Sequence, residues 1–189
     1  MRPVRPRDLK LFEHGSDEKI LGEIPRSNIG LLFIFLNALM LTGLLLVLLF
    51  FSTRYEADLL SSLNMSQDLN MSGILAVVIM VVIILVFTGS IVAGYVYSNS
   101  YIIITEQKLV LINTKGIFAR RVSQLSIGDV QDVSVDQNTF FSRLFNYGNI
   151  NIETAGEQAH FIFSFAHSPN DNAKYIVDAH EQNLKLFGN

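Results

Sequence analysis

The sequence predicts a membrane α-helical hairpin of two transmembrane helices, followed by an α+β, mainly β domain capped by a C-terminal helix. Three observations predict it. Residues 27–53 and 69–105 contain no charged side chain. From residue 98 to 167 the chain is a series of short alternating runs separated by turn chemistry. From residue 168 onward the apolar spacing changes to a helical one.

The hairpin comes first. The 189 residues are 50% hydrophobic and 16% charged, with a mean hydropathy of +0.36. Soluble domains carry about 25% charged residues, so part of this chain is built for a solvent other than water. The best spans are residues 29–51 and 74–97, of 23 and 24 residues. A helix of that length is about 35 Å long, enough for a hydrocarbon core of about 30 Å with some tilt. Without the two spans, 142 residues hold all 31 charges, and that remainder has an ordinary soluble composition. The first span is too long for the apolar core of a signal peptide, and 28 mostly polar residues precede it.

Orientation follows from the lysines and arginines of the short flanks. Residues 1–28 hold Arg2, Arg5, Arg7, Lys10, Lys19 and Arg26, and the 52–73 loop holds only Arg54. Beyond the second span come Lys108, Lys115, Arg120 and Arg121. The expected arrangement is a cytoplasmic segment at 1–28, spans at 29–51 and 74–97, an external loop at 52–73 and a cytoplasmic domain at 98–189. That is a multi-pass protein of the cell (inner or plasma) membrane, integral to the bilayer, with both termini cytoplasmic. The Asn-Met-Ser triplets at Asn64 and Asn70 read as loop polarity. Within the spans, Asn37 is expected to hydrogen-bond across the hairpin. Ser90 and Gly94, four apart, let two helices approach closely. No ionisable Asp, Glu, Lys, Arg or His lies inside either span, which argues against a transporter or proton relay.

The domain elements follow in order. Strands are expected at 100–104, 108–113 and 117–124, with turns at Glu106 and Gln107 and at Lys115 and Gly116. In residues 129–137, Val133 and Val135 fall on one face and Asp132, Ser134 and Asp136 on the other, the period-2 pattern of a half-buried strand. Residues 139–146 read as a short helical or irregular piece ending near Gly148. Strands follow at 149–154 and 160–165, around a turn at Ala155, Gly156 and Glu157, with Phe161, Phe163 and Phe165 on one side. Pro169 and Asp171 mark a helix start, and Tyr175, Ile176, Ala179, Leu184 and Leu186 give its stripe. A small curved sheet closed at one end by that helix buries both apolar surfaces.

An ordered set of residues resembles the bacterial pleckstrin-homology-like family found beside paired transmembrane helices. The set runs from Tyr101, Ile103 and Thr105 through Gly116, Ile117, Phe118, Arg120 and Arg121. It continues with Ile127, Asp129, Val130 and Val133, then Arg143, Leu144, Phe145, Tyr147 and Gly148, and ends at Ile150, Ile152, Thr154, Ala155 and Gly156. It spans about residues 98–180, the hairpin before it matches as well, and Asp17 to Leu21 look like the segment preceding the first helix. Relatives often end that segment in a basic-His-aromatic run, where this chain has Arg26, Ser27 and Asn28, so no histidine role is carried over. The resemblance implies a PH-like barrel capped by the C-terminal helix. It also implies a membrane-associated binding or scaffolding module.

Charge and motif content narrow the function. The absence of cysteine removes disulfides, thiolate metal sites and a Cys nucleophile. A net charge of −3 argues against a nucleic-acid partner. His14, His160, His167 and His180 lack metal-ligand spacing, and no phosphate loop, nucleophile elbow or dinucleotide fingerprint occurs. No metal, cofactor or catalytic residue is therefore assigned, and a non-enzyme is expected. Asp129, Val133, Arg143, Leu144, Phe145, Tyr147 and Gly148 are read as structural residues of the family pattern. Arg143 to Gly148 would pack and turn the chain, with Gly148 taking a backbone angle that other residues resist. Asp129, Asp132 and Asp136 read as a solvated strand face.

Lys115, Arg120 and Arg121 are the candidate lipid- or partner-binding residues, because they cluster just after the membrane exit, where anionic lipids attract basic side chains. The 98–189 region has seven Lys and Arg against nine Asp and Glu. That balance favours a membrane-anchored interaction or scaffold module for a protein partner or homo-oligomer. A sensor of anionic lipid at the inner leaflet is the alternative.

Overall fold

The computed structural model describes residues 19–62, 71–155 and 160–187. The N-terminal basic residues before Lys19, Asp17 and Glu18, the Asn64 and Asn70 triplets and the Gly156 and Glu157 turn lie outside them. The chain divides into two compact units, Leu32–Gly94 and the remainder.

The first unit is helical. Helix α1 is Asn28–Ser62 and α2 is Met71–Ser98. Both are long and apolar enough to cross a membrane, over Asn28–Tyr55 and Ser72–Ser98, and few residues of either stretch are buried. Helix α1 extends past the expected limit at residue 51 because residues 52–62 hold no Gly or Pro to stop it. Polar side chains in the apolar stretches bond back to their own helix. Thr42 donates to the Ala38 carbonyl at 2.8 Å, Thr88 to Ile84 at 2.8 Å and Ser90 to Phe87 at 2.8 Å. Asn37, expected to bond across the hairpin, instead donates to the Phe33 carbonyl at 2.9 Å and is exposed. An i to i−4 carbonyl is always in reach of an asparagine on a helix, so the local partner wins. Ser90 and Gly94 do lie on the buried stripe of α2, with Ile79.

The second unit is two antiparallel sheets and a helix. One sheet has the order β1-β2-β3-β4, with β1 Ile20–Pro25, β2 Tyr101–Thr105, β3 Lys108–Thr114 and β4 Arg120–Ser126. The other is β5-β6-β7, with β5 Val130–Asp136, β6 Tyr147–Thr154 and β7 His160–His167. A 3-10 turn, Ile127–Asp129, joins the sheets, the short helix α3 is Phe140–Leu144, and α4 is Pro169–Phe187. The domain therefore does not begin at residue 98. Ile20–Pro25 pairs with β2, Glu23 opposite Ile103 and Ile24 opposite Ile102, so the helix pair is inserted between two neighbouring strands of one sheet.

The core explains the strand sequences. Strand β2, Tyr-Ile-Ile-Ile-Thr, is buried at every position. Ile102 and Ile104 join Ile24, Leu109, Ile150, Ile152, Phe163 and Ile176 in the main core, while Tyr101 and Ile103 pack with Val110 and Ile112 on the opposite face. A strand covered on both faces reads as a continuous apolar run. Helix α4 buries Pro169, Ala173, Ile176 and Ala179. Leu184 and Leu186, expected on its stripe, are exposed instead. Near that end, Asn183 donates to the Glu106 carbonyl at 2.7 Å and His180 Nδ1 lies 2.6 Å from the Ile127 carbonyl.

Candidate functional site

The end of the domain from which α1 leaves and into which α2 returns gathers most of the unusual side chains. The junctions are short. Pro25 ends β1, Arg26 and Ser27 follow, and α1 starts at Asn28 with the Ile29 N–H on the Ser27 hydroxyl at 3.4 Å. On the return, only Asn99 and Ser100 separate α2 from β2. Thr114, at the end of β3, donates from its main chain to the Ser100 hydroxyl at 3.1 Å and from its own hydroxyl to the Asn99 carbonyl at 2.8 Å. The Ser27 N–H donates to the Phe165 carbonyl at 2.7 Å and Arg26 bridges to Ala166, which brings the end of β7 to the same place.

Arg26 and Tyr97 form the centre of this end. The Tyr97 hydroxyl donates to the Ser27 carbonyl at 2.7 Å. The Arg26 guanidinium lies 5.2 Å from the centre of the Tyr97 ring and 5.6 Å from that of Phe163. Its Nε is buried without a hydrogen-bond partner among the described residues, and burial holds its pKa below the ordinary arginine value. Cation–π attraction from two rings offsets part of that desolvation. Phe165 stacks on Tyr147 at 5.4 Å and meets Tyr97 edge-on at 6.2 Å. In the sequence Arg26 stands out only as a flanking charge, a lone basic residue just before an apolar helix.

The candidate basic residues stand at the same end. Lys115 and Ala119 close the β3–β4 hairpin through the Lys115 N–H and the Ala119 carbonyl at 2.8 Å. Strand β4 begins at Arg120, so Ile117 and Phe118, expected in the strand, occupy the loop instead. Phe118 is 99% exposed. Lys115, Arg120 and Arg121 are exposed around that loop, and Arg120 also reaches the Tyr101 hydroxyl at 3.4 Å.

The family-pattern residues divide. Val133 and Tyr147 are half-buried and Gly148 is buried, but Asp129, Arg143, Leu144 and Phe145 are exposed. Arg143 to Phe145, expected to pack and turn the chain between two strands, stand in the turn between β5 and β6 but are exposed there. Ser142 turns inward in their place, in a reciprocal cap in which it donates from its N–H to the Thr139 hydroxyl and accepts from the Thr139 N–H, both at 3.1 Å. The backbone angle assigned to Gly148 belongs to Asn146, whose φ is +47°. Gly148 is required for space: a Cβ there would stand 2.6 Å from the Asp136 carbonyl oxygen. Asp132 and Asp136 are exposed on β5, as a solvated face requires, and Asn151 donates to Asp136 at 2.7 Å.

Among the described residues, no cluster of three His, Asp or Glu side chains suits a metal. A shallow depression of about 500 Å³ at the opposite end is lined by Gln107, Lys108, Gln124, Leu125, Ser126, Asn183 and Phe187, and brings no acid–base pair together.

Two antiparallel sheets closed by a C-terminal helix define a PH-like domain, here with a pair of long apolar helices inserted after its first strand. The chain belongs to the bacterial PH domain family, whose family model matches residues 20–170. The match takes in β1 as well as the later strands. A solved pleckstrin-homology-domain protein of the DUF1696 family from Shewanella loihica PV-4 is similar at 16% identity and a TM-score of 0.34, over 43% of this chain and 70% of that one. No curated protein matches the chain. A PH-like domain suggests an interaction or scaffold module.

Proposed function

We propose that the protein is a membrane-anchored, non-catalytic PH-like module that holds a protein partner, or further copies of itself, at the cytoplasmic face of a cell membrane. One observation carries this reading. The two apolar helices leave and rejoin the sheet through two-residue junctions between paired strands β1 and β2. With both helices in the bilayer, the domain is held at its surface and needs no lipid affinity to stay there. Strands β4 and β5 have a strand partner on one side only among the described residues, and such edges accept partner strands. Native mass spectrometry of the full chain, released gently from its own membranes, tests the reading. A stoichiometric second protein or a defined homo-oligomer supports it, and a bare monomer from every preparation sinks it.

Anionic-lipid sensing is the second reading. Its support is the exposed position of Lys115, Arg120 and Arg121 around a loop tied to the end of α2. Specific retention of anionic lipid by a monomer in the same spectra, lost on charge reversal at these three residues, would favour it.

A further inference from the structure

We propose that the helix end of the PH-like domain carries an apolar foot, formed by α3 and the β3–β4 loop, that rests in the headgroup layer of the membrane crossed by α1 and α2. The inference rests on the spanning of the bilayer by those helices. Helix α3 exposes Phe140 at 75%, Phe141 at 55% and Leu144 at 60%, with Phe145 beside it at 44%. Phe141 stacks on Phe145 at 6.4 Å and meets Phe140 edge-on at 5.9 Å, so the rings make one continuous apolar surface. Such a patch on a small domain marks a binding surface rather than ordinary surface composition.

Its position selects the occupant. The Gln137 amide holds α3 to the sheet, donating to the Ser142 carbonyl at 3.2 Å and the Tyr147 carbonyl at 3.0 Å. The Ser168 N–H donates to the Asn146 carbonyl at 3.0 Å, and Tyr147 pairs with His167. That corner is the end of β7, where the Phe165 carbonyl meets Ser27 at the start of α1. The Phe118 loop is fixed to the end of α2 through Thr114. Both apolar tips therefore stand at the end of the domain where the apolar helices begin and finish.

Charge points the same way. Lys115, Arg120, Arg121 and Arg143 are exposed beside the tips, and residues 107–128 and 137–152 contain no acid. Among the described residues, Asp136 at the end of β5 and Asp171 in the first turn of α4 are acids near this end, and Asn151 hydrogen-bonds Asp136. Aromatic and aliphatic side chains framed by basic ones suit the boundary between headgroups and acyl chains. The foot would fix the domain's orientation and leave the opposite end of the sheet, with its exposed Leu184, Leu186 and Phe187, turned to the cytoplasm.

The absence of native cysteine makes the test direct. Full-length protein carrying one environment-sensitive fluorophore, at F118C, F141C, Q107C or L44C, is reconstituted in phosphatidylcholine vesicles with and without phosphatidylglycerol. Lipids bearing a quencher near the headgroup are then added. The expected result is several-fold stronger quenching at positions 118 and 141 than at 107, with an increase when phosphatidylglycerol is present. Quenching by deep acyl-chain probes at position 44 but none at 118 or 141 would overturn the foot and leave the helices spanning. Loss of quenching at 44 as well would overturn the anchoring itself. A label at 141 that is shielded from lipid while the protein runs as a dimer or complex would assign the patch to protein and discard the foot.

Discussion

Tyr97 donates its hydroxyl to the main-chain carbonyl of Ser27, 70 residues earlier in sequence, at 2.7 Å. The bond joins the last turn of α2 to the residue just before α1, and Gly30 makes room for it. A Cβ at Gly30 would overlap the Tyr97 phenol. Tyr97→Phe keeps the ring and its contacts with Arg26 and Phe165 but removes the bond, and the expected cost is about 1 kcal/mol. Gly30→Ala forces the ring aside and should cost more, about 1–3 kcal/mol. Thermal unfolding in lipid nanodiscs reads both. The G30A/Y97A double variant should be less destabilised than the sum of the single changes, because the clash disappears with the ring; strict additivity would show that the two residues do not meet.

The glycines of the chain separate into crowded and open positions. Gly148→Ala should destabilise by about 1–3 kcal/mol, since a Cβ would press on the Asp136 carbonyl, main chain that has no rotamer to escape into. Gly43→Ala and Gly89→Ala place their methyl in open space within helices, where alanine is favoured by about 1 kcal/mol in water. These two variants should be neutral or stabilising. Chemical denaturation followed by domain fluorescence for the first, and thermal melting in nanodiscs for the others, give the comparison. Equal effects at all three positions would refute the packing at Gly148.

Much of this was legible in advance because it is local. Strand β5 announces itself through the alternation of Val133 and Val135 with Asp132, Ser134 and Asp136, and β2 through three successive isoleucines. The two long apolar helices follow from the absence of charge. What escaped is non-local. Nothing in Ile20 to Pro25 says that its partner is β2, some 75 residues away across the helix pair; only the closed sheet reveals it. Arg143 to Phe145 lie between two legible strands, but nothing local says that they stay exposed while Ser142 is the buried residue of that turn. The cation–π site of Arg26 needs residues from the β1–α1 junction, α2 and β7, a convergence that spacing along the chain does not encode.

Arg26 supplies a prediction of its own. Its guanidinium lies against Tyr97 and Phe163, with a buried Nε. Arg26→Ala removes both ring contacts and the packing of the aliphatic stem, and is expected to cost about 1–2 kcal/mol. Arg26→Met restores the stem without the charge. If desolvation of the guanidinium outweighs the cation–π gain, Arg26→Met will match or exceed the wild-type melting temperature. If the rings repay it, the methionine variant will fall between alanine and wild type.

The orientation of the helix pair is the prediction on which the functional reading depends. Basic residues lie before the first apolar helix and after the second, with only Arg54 between, and that bias predicts that both ends of the hairpin face the cytoplasm. Exposed single cysteines at Ser62 and Glu181 report it without background, because the chain has none of its own. In intact cells a membrane-impermeant maleimide should label Ser62→Cys and leave Glu181→Cys silent until the cells are opened. The reverse pattern would turn the PH-like domain outward. It would remove the cytoplasmic partner from consideration, and the basic residues at the helix end would then meet the outer leaflet.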